Sequence, residues 1–166
     1  MGSLMRTVGP YAGTLFANTT SDIERYAQEM LTRNIKPEME VYHHGMLREV
    51  NNLISKNLVK KPYYINLVLG MAYQGAVAGT PENLFSLKQL LPLDCIFNCC
   101  AVGPAQFPMT TLSMILGGNA RVAWKIMFIT AKGCWPRAMP NLQRDLLELS
   151  GNWGWKSPPQ MKQGRY

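Results

Sequence analysis

The chain has 166 residues, 47% of them hydrophobic, and a formal net charge of +7. That is enough for one domain with a real core, and no apolar run approaches the roughly 18 residues that would span a membrane. A charge of this size invites a nucleic-acid reading, but its distribution argues against one: residues 1–122 carry ten Lys/Arg against eight Asp/Glu, and residues 123–166 carry seven against two.

Met1 is followed by Gly-Ser-Leu-Met-Arg, with no basic stretch leading into an apolar run, so no secretory signal is read there. Asn18-Thr-Thr-Ser21 is a helix-start signal, and Ser21 with Glu24 three positions on reads as a capping box. Ile23, Tyr26, Ala27, Met30 and Leu31 then recur at helical spacing until Asn34. Pro37-Glu-Met-Glu-Val-Tyr42 alternates as a strand. Met46 to Leu58 is helical again, with Leu47, Val50, Leu53 and Ile54 on one face. Tyr63-Tyr-Ile-Asn-Leu-Val-Leu69 is a nearly continuous apolar strand of the kind buried on both faces. After a glycine-containing loop from Gly70 to Gly79, Thr80 caps a helix that has Pro81 at its first position and runs to about Leu91. Asp94 to Val102 is another buried strand, Gly103–Met109 leads into a helix ending at Gly117-Gly118, and Ala120-Arg-Val122 begins a further strand. Strands alternating with helices predict an α/β fold with parallel βα units.

Three residue groups draw the eye before any family is considered. Cys95, Cys99 and Cys100 share one apolar strand and Cys134 stands apart, which reads as buried, reduced, structural cysteine in keeping with a cytoplasmic chain. His43-His44 follow a strand, but adjacent histidines tend to point to different sides, so exposed loop histidines are expected rather than a metal pair. The Gly70–Gly79 loop lacks the G-x-x-x-x-G-K phosphate pattern and reads as a βα connection.

Several segments resemble the β-keto acid cleavage enzymes, a family typified by 3-keto-5-aminohexanoate cleavage. They are Phe16-Ala-Asn-Thr19 with Asp22-Ile-Glu-Arg25, Ile35-Lys-Pro-Glu-Met-Glu-Val-Tyr42, Gly45-Met-Leu47, Asn66-Leu-Val-Leu-Gly70, Thr80-Pro-Glu-Asn-Leu84, and Ala101 through Val122. The resemblance is collinear over roughly residues 13–122. It implies a (β/α)8 barrel, of which this chain would hold roughly the C-terminal half, since a complete barrel takes about 250 residues. It implies zinc-dependent retro-Claisen chemistry, in which a β-keto acid and acetyl-CoA give acetoacetate and a new acyl-CoA. In such enzymes a His-x-His pair and a Glu hold the zinc. The pair, with an N-terminal Glu and a Ser of the site, would lie upstream of Met1, so a separately encoded N-terminal half is one expected partner.

The resemblance also assigns residues. Glu40, near the end of its strand, matches a family Glu that faces the substrate pocket, although Glu38 shares its face by period-two alternation. Arg121 matches the family Arg that binds the substrate carboxylate, a task suited to a planar, two-donor fork. The zinc Glu falls on Lys125 and the neighbouring catalytic Asp on Ile126. An ammonium cannot replace a carboxylate zinc ligand, and a hydrocarbon side chain cannot handle a proton. No metal ligand is therefore assigned in this chain, and it is expected to be inactive alone.

The departure has the form of a one-base frame change. If Ala123-Trp-Lys-Ile-Met-Phe-Ile129 is read from the last base of the alanine codon, Glu and Val are forced by the genetic code, and permitted wobble choices give Met-Glu-Asp-Asn-Val-Tyr. Residues 123–166 are thus expected to be an out-of-frame, poorly ordered tail, with one helix over Asn141 to Leu149. Two alternatives remain for this tail: a divergent C-terminal domain, and a basic module that binds through Trp124, Trp135, Trp153 and Trp155.

Overall fold

The computed structural model of the chain describes residues 1–122 and Glu148. The chain separates into two compact units, Met1–Lys132 and Gly133–Tyr166. Glu148 is the described residue of the second; it is helical and exposed. The tail, with Lys125, Ile126, Cys134, the four tryptophans and all but Glu148 of the expected helix over 141–149, lies outside the described residues.

In the first unit a short antiparallel pair, β1 (Leu4–Met5) and β2 (Leu15–Phe16), precedes helix α1 (Thr20–Thr32). Then follow β3 (Glu38–Val41), α2 (Met46–Ser55), β4 (Tyr63–Leu69), α3 (Pro81–Gln89), β5 (Cys95–Ala101), a 3-10 turn (Gly103–Ala105), α4 (Gln106–Ile115) and β6 (Asn119–Ala120). The strands β3-β4-β5-β6 form one parallel sheet in sequence order, so the fold is α/β as expected.

The sheet has two unlike faces. Met39, Val41, Ile65, Leu67, Leu69, Phe97, Cys99 and Ala101 join Ile23, Ala27, Leu47, Val50, Leu84, Leu87 and Met109 of the four helices in one buried core. Each fully buried Leu, Val or Ile there contributes about 1.5–3 kcal/mol relative to exposure. The other face is mixed, with most of the sheet's polar side chains on it. The strand register puts Glu38, Tyr64 and Ile96 at one level, and Glu40, Asn66, Asn98 and Asn119 at the next.

Element ends depart from the sequence reading for local reasons. The cap of α1 is Thr19, not Ser21: Thr19 is extended (φ −73°, ψ 159°) and its Oγ1 accepts from the Asp22 amide. Glu24 does not close a capping box, because its Oε1 accepts from Asn52 Nδ2 at 2.7 Å and from Lys56 Nζ. Helix α2 stops at Ser55 rather than Leu58, since Asn57 turns left-handed (φ 54°). Asp94 does the same (φ 59°), so β5 starts at Cys95. Thr80 caps α3 as expected, accepting from the Asn83 amide. The β1–β2 pair was not legible: two-residue strands carry too little periodicity.

Candidate active site

The site forms where the C-terminal ends of β3 and β6 meet over the polar face. Arg121 follows β6, and its amide donates to the Cys99 carbonyl at 2.9 Å, extending the β5–β6 pairing. That pairing sets Arg121 on the face carrying Asn119, two residues back. Its Nη1 donates to Glu38 Oε1 at 3.2 Å and Glu40 Oε1 at 3.0 Å. Glu38 and Glu40 stand on β3, at the far side of the sheet, so the arginine arm reaches across the polar side of β4 and β5. Burial works against the charge, and the two glutamates outweigh it, so the guanidinium is held above its usual pKa. Nε and Nη2 have no partner among the described residues, which leaves a two-donor edge for a carboxylate.

Glu40 is held from a second direction. The Tyr42 hydroxyl donates to its Oε2 at 2.7 Å. Tyr42 continues the alternation of Glu38 and Glu40, and its ring packs edge-on against Tyr73 at 5.5 Å. Burial first, then Glu40, pushes the phenol well above its ordinary pKa, so it remains a donor. Cys100 belongs to the same group: burial pushes its thiol up to about 11, with Arg121 pulling down and Glu40 and Glu38 pushing up. At neutral pH it is a thiol, not a nucleophilic thiolate.

An open cavity of about 440 Å³ lies beside Glu40 and Tyr42 and is lined also by Tyr73 and by Leu4, Arg6 and Phe16 of the β1–β2 segment. The structure thus brings together the two residues singled out from sequence, Arg121 and Glu40, and adds Glu38, Tyr42 and Cys100. The signal for Tyr42 was present in the Glu38-Met-Glu-Val-Tyr42 alternation. Cys100 sits in a strand that is apolar but for Asn98, and its thiol gives no polar signal of its own in the sequence.

The histidines do not join this group. They are half-buried rather than exposed, and they diverge. His44 Nε2 lies 2.8 Å from Ser86 Oγ. The His43 ring packs where a side chain on Gly45 would go, 3.1 Å from that position. Burial, the Met1 ammonium and His44 hold His43 below its usual pKa. Among the described residues no three His, Cys, Asp or Glu side chains gather as a metal site would require. These residues do not make a zinc shell. The Gly70–Gly79 loop is a βα connection: Gly70 takes φ 73° at the end of β4, and its amide donates to Val77 O at 2.8 Å. Cys95 and Cys99 are free and on the core side of β5. Among the described residues no helix is long and apolar enough to cross a membrane.

Residues 1–124 match the family of beta-keto acid cleavage enzymes. The chain belongs to that family. It is 29% identical over 140 residues to a 3-keto-5-aminohexanoate cleavage enzyme of Acetoanaerobium sticklandii, covering 84% of this chain and 50% of that protein. It is 24% identical over the same length to a 3-keto-5-aminohexanoate cleavage enzyme of Fusobacterium nucleatum, again 50% of the relative. A 3,5-dioxohexanoate:acetyl-CoA acetone transferase of Paraburkholderia graminis is 26% identical over 112 residues, 65% of this chain and 36% of that one. The chain spans about half the length of the curated relatives it matches most extensively.

Proposed function

We propose that this chain is the C-terminal half of a (β/α)8 barrel of the zinc-dependent β-keto acid cleavage type, and that it binds the keto acid but does not turn it over alone. The observation that supports the binding half is the Arg121 guanidinium, fixed across the sheet by Glu38 and Glu40 with its second edge unengaged. The keto acid's carboxylate takes that edge. Tyr42 and Arg121 fix Glu40 so that it borders the bound acid rather than rotating away. The 440 Å³ cavity then receives the remainder of the acid and, in the assembled enzyme, the thioester of acetyl-CoA.

Support for the inactive half is chemical. The resemblance implies a zinc-dependent reaction, in which the metal would polarise the substrate carbonyl and a Glu with a neighbouring Asp would be needed beside it. On the resemblance, that Glu and Asp fall on Lys125 and Ile126. The test is a turnover assay of the chain with 3-keto-5-aminohexanoate, acetyl-CoA and added zinc, alongside a titration with acetoacetate. The expected result is saturable acetoacetate binding that Arg121→Ala weakens at least tenfold, with no acyl-CoA formed. Acyl-CoA formation by the chain alone would overturn the inactive half, and binding indifferent to Arg121→Ala would overturn the binding half.

A further inference from the structure

Arg6 stands apart from the arginines that tie the fold together. Arg25 and Arg33 pair with Asp22 and Glu29 of helix α1, and Arg121 pairs with Glu38 and Glu40. Arg6 has no carboxylate and no side-chain hydrogen bond among the described residues. Its guanidinium lies over the ring of Tyr11, with Cζ 5.5 Å from the ring centre. The backbone beneath it is tied on both sides. The Arg6 amide donates to the Thr14 carbonyl at 3.2 Å, and its carbonyl accepts from the Gly13 amide at 2.9 Å. On the other side Arg6 faces Tyr73 as an antiparallel pair. That pair is flanked by the Thr7 amide on the Ala72 carbonyl at 3.1 Å and the Gln74 amide on the Met5 carbonyl at 2.8 Å.

This anchored cation borders the cavity beside Glu40. Leu4 and Arg6 both line it, as the period-two alternation of an extended segment requires. The lining is aromatic or aliphatic apart from Arg6, Thr14 and Glu40. Two of those three are engaged. The Thr14 hydroxyl donates to the Tyr11 carbonyl at 2.6 Å, and Glu40 has Arg121 on one oxygen and Tyr42 on the other. The unspent charge of the cavity is therefore positive. An amine-bearing acid, such as the one for which two of the relatives are named, finds no free carboxylate there. The Tyr11 face, which could draw a cation, already holds Arg6.

We infer that Arg6 is a specificity-determining residue, and that it selects a β-keto acid whose far end carries a second carboxylate. This rests on the proposed function, in which the cavity receives the part of the acid beyond the carboxylate on Arg121. An acid with a methyl end leaves Arg6 unpaired, whereas a distal carboxylate takes two of its donors at once. A phosphate of acyl-CoA is a poorer match, because the long pantetheine arm holds it far from the thioester that enters the same cavity.

Freshly prepared 3-oxoadipate and 3-oxohexanoate test this, since they share a six-carbon chain and the β-keto carboxylate and differ in ending on a carboxylate or a methyl group. Affinities of both are measured at low and high salt for the full chain, Arg6→Met, Arg6→Lys and Arg121→Ala, with coenzyme A as a third ligand. The wild-type chain is expected to prefer 3-oxoadipate about fivefold at low salt, the upper end for a solvent-exposed ion pair, with the margin shrinking as salt rises. Arg6→Met should bring the two acids level, and Arg6→Lys should keep part of the preference. Equal wild-type affinities overturn the inference, as does a preference that survives Arg6→Met, or a wild-type chain that binds neither acid. Coenzyme A binding that Arg6→Met weakens, with the two acids already level in wild type, would give the cation to a phosphate and overturn it as well. Indifference of both acids to Arg121→Ala, with the preference still tied to Arg6, would instead remove the proposed carboxylate anchor and keep the Arg6 subsite.

Discussion

Arg121 Nη1 lies 3.0 Å from Glu40 Oε1 across 81 positions of sequence, joining the last strand of the sheet to the first. The pair is only partly shielded, with side-chain exposures of 42% and 40%, so its worth to the fold is small, about 0–1 kcal/mol. Its worth to a carboxylate ligand is larger, because a fixed guanidinium binds both oxygens at once. Arg121→Ala should therefore shift the denaturation midpoint little while weakening acetoacetate binding at least tenfold. Arg121→Lys should recover only part of the binding, since an ammonium is a point charge without the planar fork. Paired denaturation and titration experiments check both statements, and equal losses in the two would show that the arginine serves the fold.

Glu38 bears on the same guanidinium from one level further down β3, at 3.2 Å. Glu38 and Glu40 together outnumber the positive charge they hold, and a carboxylate ligand would have to approach that excess. Glu38→Gln removes one charge and leaves Glu40, with its tyrosine donor, in place. Acetoacetate affinity should rise several-fold, with the gain shrinking as salt screens it. The measurement is the dissociation constant at low and high ionic strength. A fall in affinity would mean that Glu38 is needed to aim the arginine.

These relationships were legible in the sequence to different depths. The alternation from Pro37 to Tyr42 put Glu38 and Glu40 on one face, and the family resemblance marked Arg121, but no pattern could say that a residue beyond β6 would touch β3. That contact depends on the sheet order and on the length of an arginine. The Asn66 row was hidden for a similar reason: each asparagine sits in an otherwise apolar strand, and only the register of three strand pairings places them at one level. Conversely β4 and the cap and proline of α3 read directly from sequence, since each depends on neighbours within a few residues. The helix start at Thr19 was misplaced by two positions because Asn18-Thr-Thr-Ser21 offers several hydroxyl caps, and backbone geometry selects among them.

Gly79 closes the loop that follows β4, against the 3-10 turn that follows β5. A methyl group at Gly79 would come within 2.6 Å of the Ala105 Cβ, which is not a flexible chain end and cannot swing away. Gly79→Ala should force the Gly103–Ala105 turn outward and destabilise the chain by about 1–3 kcal/mol. Ala105→Gly makes room and should restore most of the loss in the double variant, a coupling that a double-mutant cycle measures directly. Additive effects would place the strain elsewhere.

Cys99 gives the fold a pH dependence. It is fully buried on the core side of β5, and burial, with a smaller push from Cys100, raises its thiol from the usual 9 to about 12. A group whose pKa is raised by folding contributes its stability in full below the unfolded value and loses it as pH climbs toward the folded one. The window is therefore pH 9 to about 12, and the chain should lose stability progressively across it as the unfolded thiol ionises and the folded one does not. Cys100, raised to about 11, adds a part that ends sooner. Cys99→Val keeps an apolar group of similar size and cannot ionise, so its denaturation midpoint should fall less steeply between pH 8 and pH 10.5 than that of wild type. Parallel slopes for the two proteins would mean that other groups carry the alkaline loss.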